Sequence, residues 1–432
     1  MDNVYWIYPT SPDYNSERQN WDIRFNVYPE AIGQALNMKG VKEILKVIHK
    51  TKSEFAVRGG RHCFEPWSLS EGIILDLSKI DHITIRDKTV KIGAGATLGN
   101  IYQTLLADGY FIPAGTRPTV GIGGQGLNGG IGYATRKYGI LTDSILSYRI
   151  ILADGQLVTA SKSSHPDLYW ALRGCGAGNF GVVVEYELQI YKASKVTVFT
   201  YNYFLSTPTV AIKALQWLTE LRNGKKLTCQ AVIDKDRVIF TGQLFGRPNQ
   251  LDRYLKGLPE PDTMEIKYVP YVEAVAYFSS PTAKESVKAK SRFFNQLMNK
   301  QTLSHLIKFV QKTPLPTGAR LTVGFQQLSG SATGSMPWKR STYWLNWTLR
   351  WINNPDIDLD LNLLEQSYLD TLKDPAATRY SYSGMMDVAA YKWQRAYYGS
   401  RSHQKRLLAI KDRYDPCNLF RYPQGLSALI SK

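Results

Sequence analysis

The sequence predicts an α+β fold. Short apolar runs alternate with helical patterns over residues 54–190, which is typical of mixed strands and helices. After about residue 195 the pattern changes to longer strands with alternating or aromatic residues, as expected of an antiparallel sheet with one covered face. A chain of 432 residues is long enough for two domains with large buried cores.

The individual elements follow from periodicity and from signals at their ends. Strands are predicted in the first half at EFAVRG, GIILDLS, VKIGAGA and ILSYRIILADG, and in the second half at VTVFTYNYF, LTCQAVIDK, RVIFTGQLFG, RLTVGFQQLSG and TYWLNWTLRWI. Helices are predicted at LGNIYQTLLADG, which closes on Gly109, at SSHPDLYWALRG, with Pro166 in its first turn, and at TPTVAIKALQWLTELRN on the outer side of the second sheet.

Three glycine-dense stretches lie in the first half: VRGGRHCFEP from Val57, PTVGIGGQGLNGGIGYATRKYG from Pro118 and RGCGAGNFG from Arg173. Glycine has no Cβ and accepts positive φ, so the backbone can lie directly against a ligand. One such stretch is usually a tight turn or a bulge, but three of them, one beside His62, predict a cofactor cradle. Successive N–H groups in such turns bind anions, and the spacing differs from the G-x-G-x-x-G pattern of an NAD site.

These stretches resemble motifs of the berberine bridge enzyme-like branch of the vanillyl-alcohol oxidase flavoprotein superfamily. Residues 58–62 are similar to that family's R-(S/G)-G-G-H, and residues 117–132 to its C-P-T-V-G-x-G-G-H-x-x-G-G-G-x-G. Residues 167–183 and the C-terminal stretches YYG and RLLAIKDRYDPCNLFRYPQGL are similar to two further motifs. The resemblance spans almost the whole chain and is looser over residues 195–379.

The resemblance implies a two-part FAD-binding domain, residues 1–194 and 391–432, with an inserted antiparallel-sheet substrate domain at residues 195–390. It also implies a covalent bond from His62 to the 8α-methyl of FAD, which would raise the reduction potential of the flavin. The predicted FAD-binding residues are Arg58, Gly59, Gly60, Arg61, His62, Arg117, Pro118, Thr119, Val120, Gly121, Gly123, Gly124, Gly126, Gly130, Gly132, Gly178, Gly181, Val182, Tyr422 and Gln424.

Two arginines depart from the family pattern. Arg117 stands where many relatives have a cysteine bonded to the 6-position of the flavin, and neither Cys63 nor Cys175 lies in that motif. We therefore predict a single covalent bond, through His62 only. Arg61 stands where a glycine is usual, so we expect its backbone to avoid a strained φ. Its side chain is expected either to point to solvent or to place a cation near the pyrophosphate.

The resemblance also implies the reaction, in which a hydride passes from an alcohol carbon of a sugar or another hydroxylated small molecule to FAD. Val120 matches a position that gates the access of oxygen, and valine there goes with oxidases, so oxygen is the predicted acceptor and hydrogen peroxide the product. Candidate substrate residues in the sheet above the flavin are Gln326, Asn346, Trp347 and Arg350.

A general base must take the proton of the substrate hydroxyl. Tyr380 aligns with the tyrosine that serves as base in many relatives, and Tyr382 with their asparagine. Strand alternation would point both rings to one face, and the alternative is two aromatic side chains packed in a half-buried strand. Tyr380 could act near neutral pH as a phenolate stabilised by Arg350 or Lys339, or by moving the proton in concert with the hydride.

Charge and composition limit the other functions of the chain. Fifty-three Lys and Arg against 36 Asp and Glu give a formal net charge of +17. Seven of the basic residues and a single acid, Glu285, lie between Lys284 and Lys312, where the apolar spacing predicts an amphipathic helix with a solvated basic face. The alternative is a surface for a polyanion, although no nucleic-acid-binding motif accompanies it.

The cysteines and the apolar runs predict neither a metal site nor a membrane span. Four cysteines without a CxxC pair or a histidine at ligand spacing indicate free thiols. No apolar run is long enough to cross a bilayer, and MDNVYWIYPTSPDYNS has no basic n-region or apolar h-region. A soluble protein without a secretory signal is expected, and its compartment stays open.

A second class of function is a flavin-binding protein with weak or no turnover and a structural or interaction role. Arg117, Gln125 in place of a histidine of the family, and Tyr382 in place of its asparagine favour this alternative. The glycine-rich loops and Tyr380 favour an enzyme.

Overall fold

The computed structural model describes residues 2–220, 224–279, 283–329, 332–352 and 359–429. The strands, in chain order, are β1 (Val4–Ile7), β2 (Ala31–Ala35), β3 (Phe55–Arg58), β4 (Ile73–Asp76), β5 (Ile83–Arg86), β6 (Thr89–Gly93), β7 (Tyr110–Phe111), β8 (Ile145–Ile151), β9 (Leu157–Ser161), β10 (Val182–Gln189), β11 (Tyr191–Lys192), β12 (Val196–Phe204), β13 (Leu227–Ile233), β14 (Arg237–Leu244), β15 (Thr263–Val269), β16 (Ser286–Phe294), β17 (Ala319–Gln327) and β18 (Tyr343–Trp351).

The α-helices are α1 (Tyr14–Glu17), α2 (Met38–Thr51), α3 (Leu98–Ala107), α4 (Ile122–Asn128), α5 (Thr135–Tyr138), α6 (Pro166–Cys175), α7 (Pro208–Glu220), α8 (Leu251–Tyr254), α9 (Tyr271–Tyr277), α10 (Lys300–Lys312), α11 (Leu363–Asp370), α12 (Trp393–Tyr398) and α13 (Arg401–Tyr414). Short 3-10 helices lie at Pro66–Ser68, Leu141–Asp143, Pro248–Gln250, Thr371–Lys373, Ser383–Met385 and Leu426–Leu429.

Three larger sheets organise the chain. The first has the order β1-β2-β4-β3, in which β2, β4 and β3 are parallel and β1 is antiparallel. The second has the order β5-β6-β10-β8-β9, and the third the order β15-β12-β14-β13-β17-β18-β16, and both are antiparallel. The predicted mixture of helices and sheets, with an antiparallel sheet after residue 195, is therefore confirmed.

One face of the seven-stranded sheet is covered by α7, α10 and α11. Along β18 the side chains alternate, so that Leu345, Trp347 and Leu349 pack into the core under these helices. Trp344 and Asn346 consequently lie on the opposite face. The prediction that Trp347 is a pocket residue is wrong, because it lies on the helix-covered side, where its Nε1 donates to Ser367 Oγ at 3.2 Å.

A second core joins residues from both ends of the chain. Leu98 and Tyr148 from the first half share this cluster of buried side chains with Leu407 and Tyr414 of α13. Helix α13 packs against α6, and the Tyr414 hydroxyl donates to Asp167 Oδ1 at 2.9 Å. The C-terminal segment thus packs on the N-terminal half, while the domain boundaries at residues 194 and 390 stay a prediction.

The basic segment between Lys284 and Lys312 is not one amphipathic helix. Only Lys300–Lys312 is helical, and Ser286–Phe294 is the edge strand β16, with every residue buried. The prediction of a solvated basic face is wrong for β16, because its lysine and arginine side chains are buried and pair with other side chains. Lys288 contacts Glu65 and Asp387, Lys290 contacts Asp387 and Glu365, and Arg292 contacts the hydroxyl of Tyr368.

Candidate functional site

A cavity of about 400 Å³ lies between the glycine-rich loops, the seven-stranded sheet and the C-terminal segment. Its volume is within the range of small-molecule and cofactor sites. The predicted site residues that line it are Gly59, Gly60, Arg61, His62, Arg117, Val120, Gly121, Gly123, Gly124, Gly178, Gly181, Tyr382 and Tyr422. Residues from all three glycine-rich stretches therefore meet at one site.

Two glycines bring the first two loops into contact. A Cβ on Gly60 would lie 2.1 Å from the backbone nitrogen of Gly121, and a Cβ on Gly121 would lie 2.5 Å from that of Gly60. No side chain fits at either position. A Cβ on Gly124, by contrast, would meet no described atom within 4 Å, so this residue borders the open cavity. Gly123 and Gly124 lie in the first turn of α4, where N–H groups have no partner within the helix and can donate to an anion.

His62 is held in place by two neighbours. Its Nε2 lies 2.9 Å from Thr119 Oγ1, and its ring stacks on that of Trp21, with 4.9 Å between centroids and 17° between planes. Burial, reinforced by the positive charge of Arg117, lowers the pKa of His62 to about 3. The imidazole is therefore neutral at physiological pH, and a ring nitrogen keeps the lone pair that a bond to carbon requires. With the open cradle beside Gly124, this chemistry fits covalently attached FAD.

Arg117 contacts Trp21, the same side chain on which the His62 ring stacks. Its guanidinium carbon lies 4.0 Å from the centroid of the Trp21 ring. Arg117 Nη2 is 3.5 Å from Glu285 Oε1, the oxygen that Arg350 Nη1 also contacts. The predicted substrate residue Arg350 does not line the cavity and contacts Glu285 instead.

The expectation that the Arg61 backbone avoids a strained φ is wrong. Its φ is +61°, in the left-handed region that non-glycine residues rarely adopt. Its side chain contacts the carboxylates of Glu17 and Asp76, although the residue lines the cavity. Arg58 is fully buried behind the cavity, with its Nη2 2.6 Å from Asp76 Oδ2. The two ion pairs on Asp76 hold the loop in this conformation and give both arginines a structural role.

The two candidate tyrosines, Tyr380 and Tyr382, line different depressions of the protein. Tyr382 is buried and lines the cavity, whereas Tyr380 borders a different depression beside Asn295 and Arg379. The prediction that both rings share the face of a strand is wrong, because residues 379–382 form no regular strand. The placement of Tyr380 at the reacting centre is therefore not supported by the structure.

Aromatic side chains surround Tyr382. Its ring makes edge contacts with Phe293, Trp338 and Trp344, and its hydroxyl oxygen accepts a hydrogen bond from the N–H of Gly130 at 3.2 Å. Burial raises the pKa of Tyr382 to about 12, against the opposing effect of that N–H. The cations predicted beside Tyr380 interact with other groups: Arg350 is paired with Glu285, and the charge of Lys339 acts on His403.

Several predicted residues support the cavity from behind. Gln326 connects two parts of its wall, since its Nε2 donates to the Gly132 carbonyl at 3.2 Å and its Oε1 accepts from Trp344 Nε1 at 3.3 Å. Gln424 Nε2 donates to the carbonyl of Asp387 at 2.8 Å. The remaining predicted residues that do not line the cavity are Pro118, Thr119, Gly126, Gly130, Gly132, Val182 and Asn346.

Further residues that line the cavity were not predicted from the sequence. These include Trp21, Cys63, Trp67, Asn128, Trp344, Met385, Met386 and Phe420. Trp344 could have been found, because it lies two residues before Asn346 on the same strand and so shares its face. Trp21 carries no such signal, since it lies on a segment without regular secondary structure that reaches the site only through tertiary packing.

Two further properties concern the part of the chain that the structure describes. It contains no cluster of His, Cys, Asp and Glu that could hold a metal ion. It also contains no helix with the length and apolar character needed to span a bilayer.

Comparisons with known proteins agree on one family. Residues 29–161 match the family described as FAD binding domain, and residues 351–427 the one described as berberine and berberine like. The FAD-linked oxidoreductase YgaK of Bacillus subtilis (strain 168) is 30% identical over 438 residues, covering 97% of this chain and 95% of the relative.

Solved structures share the fold over nearly the whole chain. The BBE-like 1 protein of Physcomitrella patens is 23% identical with a TM-score of 0.88, covering 98% of this chain and 96% of its own. The glucooligosaccharide oxidase of Acremonium strictum, with 6-S-cysteinyl, 8α-N1-histidyl FAD, is 19% identical with a TM-score of 0.88, covering 98% and 97%.

Proposed function

Because this chain belongs to the berberine bridge enzyme-like FAD-linked oxidoreductases of the vanillyl-alcohol oxidase superfamily, we propose that it oxidises an alcohol carbon of a sugar or another hydroxylated small molecule. The hydride would pass to FAD attached to His62, and oxygen would be the final acceptor. The observation that carries this proposal is that His62 and Tyr382 line one cavity. The sugar oxidases among the similar structures favour a carbohydrate substrate.

Different residues of the chain would bind the cofactor and take the proton at this site. The Gly60 and Gly121 loops and the first turn of α4 would hold the pyrophosphate, and His62 would anchor the dimethylbenzene edge. FAD held there would supply the hydride acceptor and the redox chemistry by which oxygen is reduced to hydrogen peroxide. Tyr382 would take the proton of the substrate hydroxyl, and Trp344 and the rings behind it would exclude water from that oxygen.

The pKa of Tyr382 predicts how the reaction depends on pH. With a pKa of about 12, the phenolate is rare at neutrality and becomes more abundant as the pH rises. The rate of flavin reduction by substrate should therefore increase with pH, by up to about tenfold per unit below the pKa if the phenolate is the acting base. Anaerobic stopped-flow measurements over the neutral and alkaline range test this. A flat profile would instead indicate that proton and hydride move together.

From Val120 we infer that oxygen accepts the electrons, since Val120 lines the cavity and matches the residue that gates oxygen in the family. Substitution Val120→Leu adds one methylene and should fill the space that oxygen needs. We expect rapid reoxidation of the reduced wild-type enzyme by oxygen, and much slower reoxidation of the variant with a smaller effect on reduction by substrate. Slow wild-type reoxidation beside fast reduction of an artificial dye would make the protein a dehydrogenase.

The substrate class can be tested with a panel of mono- and oligosaccharides, simple alcohols and phenolic alcohols. Release of hydrogen peroxide identifies substrates in air, and bleaching of the yellow protein without oxygen shows that electrons reach the flavin. Failure of every compound to bleach a fully flavinylated preparation would favour the alternative of a flavin-binding protein without efficient turnover.

A further inference from the structure

Strand β15 is an unusually open edge of the seven-stranded sheet. It pairs with β12 on one side, and no described strand pairs with its other side. All residues of β15 from Thr263 to Tyr268 are exposed, and Val269 is half-buried. An open edge presents unpaired N–H and C=O groups that can template pairing with another strand. Seven residues of such an edge are long enough for a stable strand pair.

The side chains of this strand form two different faces. Met264, Ile266 and Tyr268 alternate along one face and are 64%, 41% and 42% exposed. Glu265 and Lys267 lie on the other face, with 2.6 Å between Lys267 Nζ and Glu265 Oε1. Large exposed apolar side chains in a row typically mark an interaction surface.

The order of these residues is self-complementary. If two copies of β15 pair antiparallel about a two-fold axis at the central residue, Ile266 faces Ile266 of the second copy. Met264 then faces Tyr268, and Glu265 faces Lys267, in both directions. Every apolar residue meets an apolar residue, and each charge meets its opposite, which is the arrangement that stabilises cross-strand pairs. A shift of the centre by one residue would place Glu265 opposite itself, and a shift the other way would place Lys267 opposite itself.

We propose that β15 is a dimer interface, through which two copies of this chain join their seven-stranded sheets into one continuous sheet. The cavity with His62 and Tyr382 plays no part in this pairing, so the proposal is independent of the proposed activity. Sedimentation velocity of the flavinylated protein over a range of concentrations should give twice the mass of one chain. A wild-type protein that stays monomeric at all concentrations would overturn the proposal.

Charge variants test the pairing rather than the fold. Ile266→Glu should give a monomer, because it places two carboxylates face to face on the axis. Glu265→Lys should weaken the dimer by placing two ammonium groups opposite each other, and the added exchange Lys267→Glu should restore it. Ile352→Glu, at a residue that is 73% exposed outside this strand, is the matched control and should remain dimeric. Flavin content and circular dichroism check folding, and a dimeric Ile266→Glu protein would contradict the interface.

Cross-linking tests the register. In a background that lacks the exposed thiol of Cys417, Ile266→Cys places two thiols on the axis, with Cβ atoms about 5 Å apart. A short thiol-specific cross-linker should then join the two copies. Met264→Cys in the same background places the thiols about 13 Å apart along the strands and should not be joined by a linker shorter than about 10 Å. Equal cross-linking of both variants would rule out the proposed axis.

Discussion

Tyr382→Phe should lower the rate of flavin reduction by substrate by about 10²–10⁴-fold, the usual worth of a positioned base. The substitution removes one oxygen atom and keeps the ring that contacts Phe293, Trp338 and Trp344. Folding and flavin attachment should therefore survive, and the absorption spectrum of the bound flavin should be almost unchanged. Rapid mixing of the oxidised variant with saturating substrate under anaerobic conditions measures the effect.

Tyr380→Phe is the matched control for this experiment. It makes the same chemical change two residues away, at a side chain that borders another depression. The control should reduce its flavin at close to the wild-type rate. A large loss in Tyr380→Phe without one in Tyr382→Phe would identify Tyr380, the residue that the motif alignment selects, as the base.

His62→Ala should abolish covalent attachment of FAD, the second large effect. Wild-type protein precipitated with acid should stay yellow, because its flavin is bonded to the chain, whereas the variant should release its colour into the supernatant. The motivation is a neutral His62 at the cavity wall, with its pKa lowered to about 3 and its ring fixed by Trp21. Mass spectrometry of flavin-bearing peptides identifies the attached residue.

Identifying the attached residue is decisive because Cys63 lines the same cavity and its thiol is a second nucleophile there. A flavin-bearing peptide linked through Cys63, or through any other cysteine, would contradict a bond through His62 only. Release of FAD from wild-type protein on precipitation would contradict covalent attachment itself.

Thr119→Val tests whether the Thr119 hydroxyl orients the His62 ring, in a protein that keeps His62 itself. The Thr119 hydroxyl lies 2.9 Å from Nε2 of His62, where it can accept the Nε2 proton and leave the lone pair on Nδ1. Valine keeps the shape of the side chain and removes this acceptor. We expect apoprotein of the variant to attach added FAD more slowly than wild type and to reach the same final yield. An unchanged rate of attachment would show that Thr119 does not orient the ring.

The sequence by itself determined the features that depend on neighbouring residues. Strand alternation and helix end signals predicted the elements of both halves, such as Phe55–Arg58, Leu98–Ala107 and Tyr343–Trp351. The glycine stretches predicted the loops of the cradle, because a missing Cβ is a property of the residue itself. His62 could be selected in the same way, since its motif is continuous in the chain.

Only the tertiary structure decided which side chains share the cavity. Tyr380 and Tyr382 are equivalent in the sequence pattern, but in this irregular segment Tyr382 lines the cavity and Tyr380 borders a different depression. The sequence pattern predicts that Lys288 is solvated. In the structure it is buried in the edge strand β16 and contacts Glu65 and Asp387, which are 223 and 99 residues distant in the chain. These outcomes depend on burial and on pairing between distant segments, and no local pattern of residues carries that information.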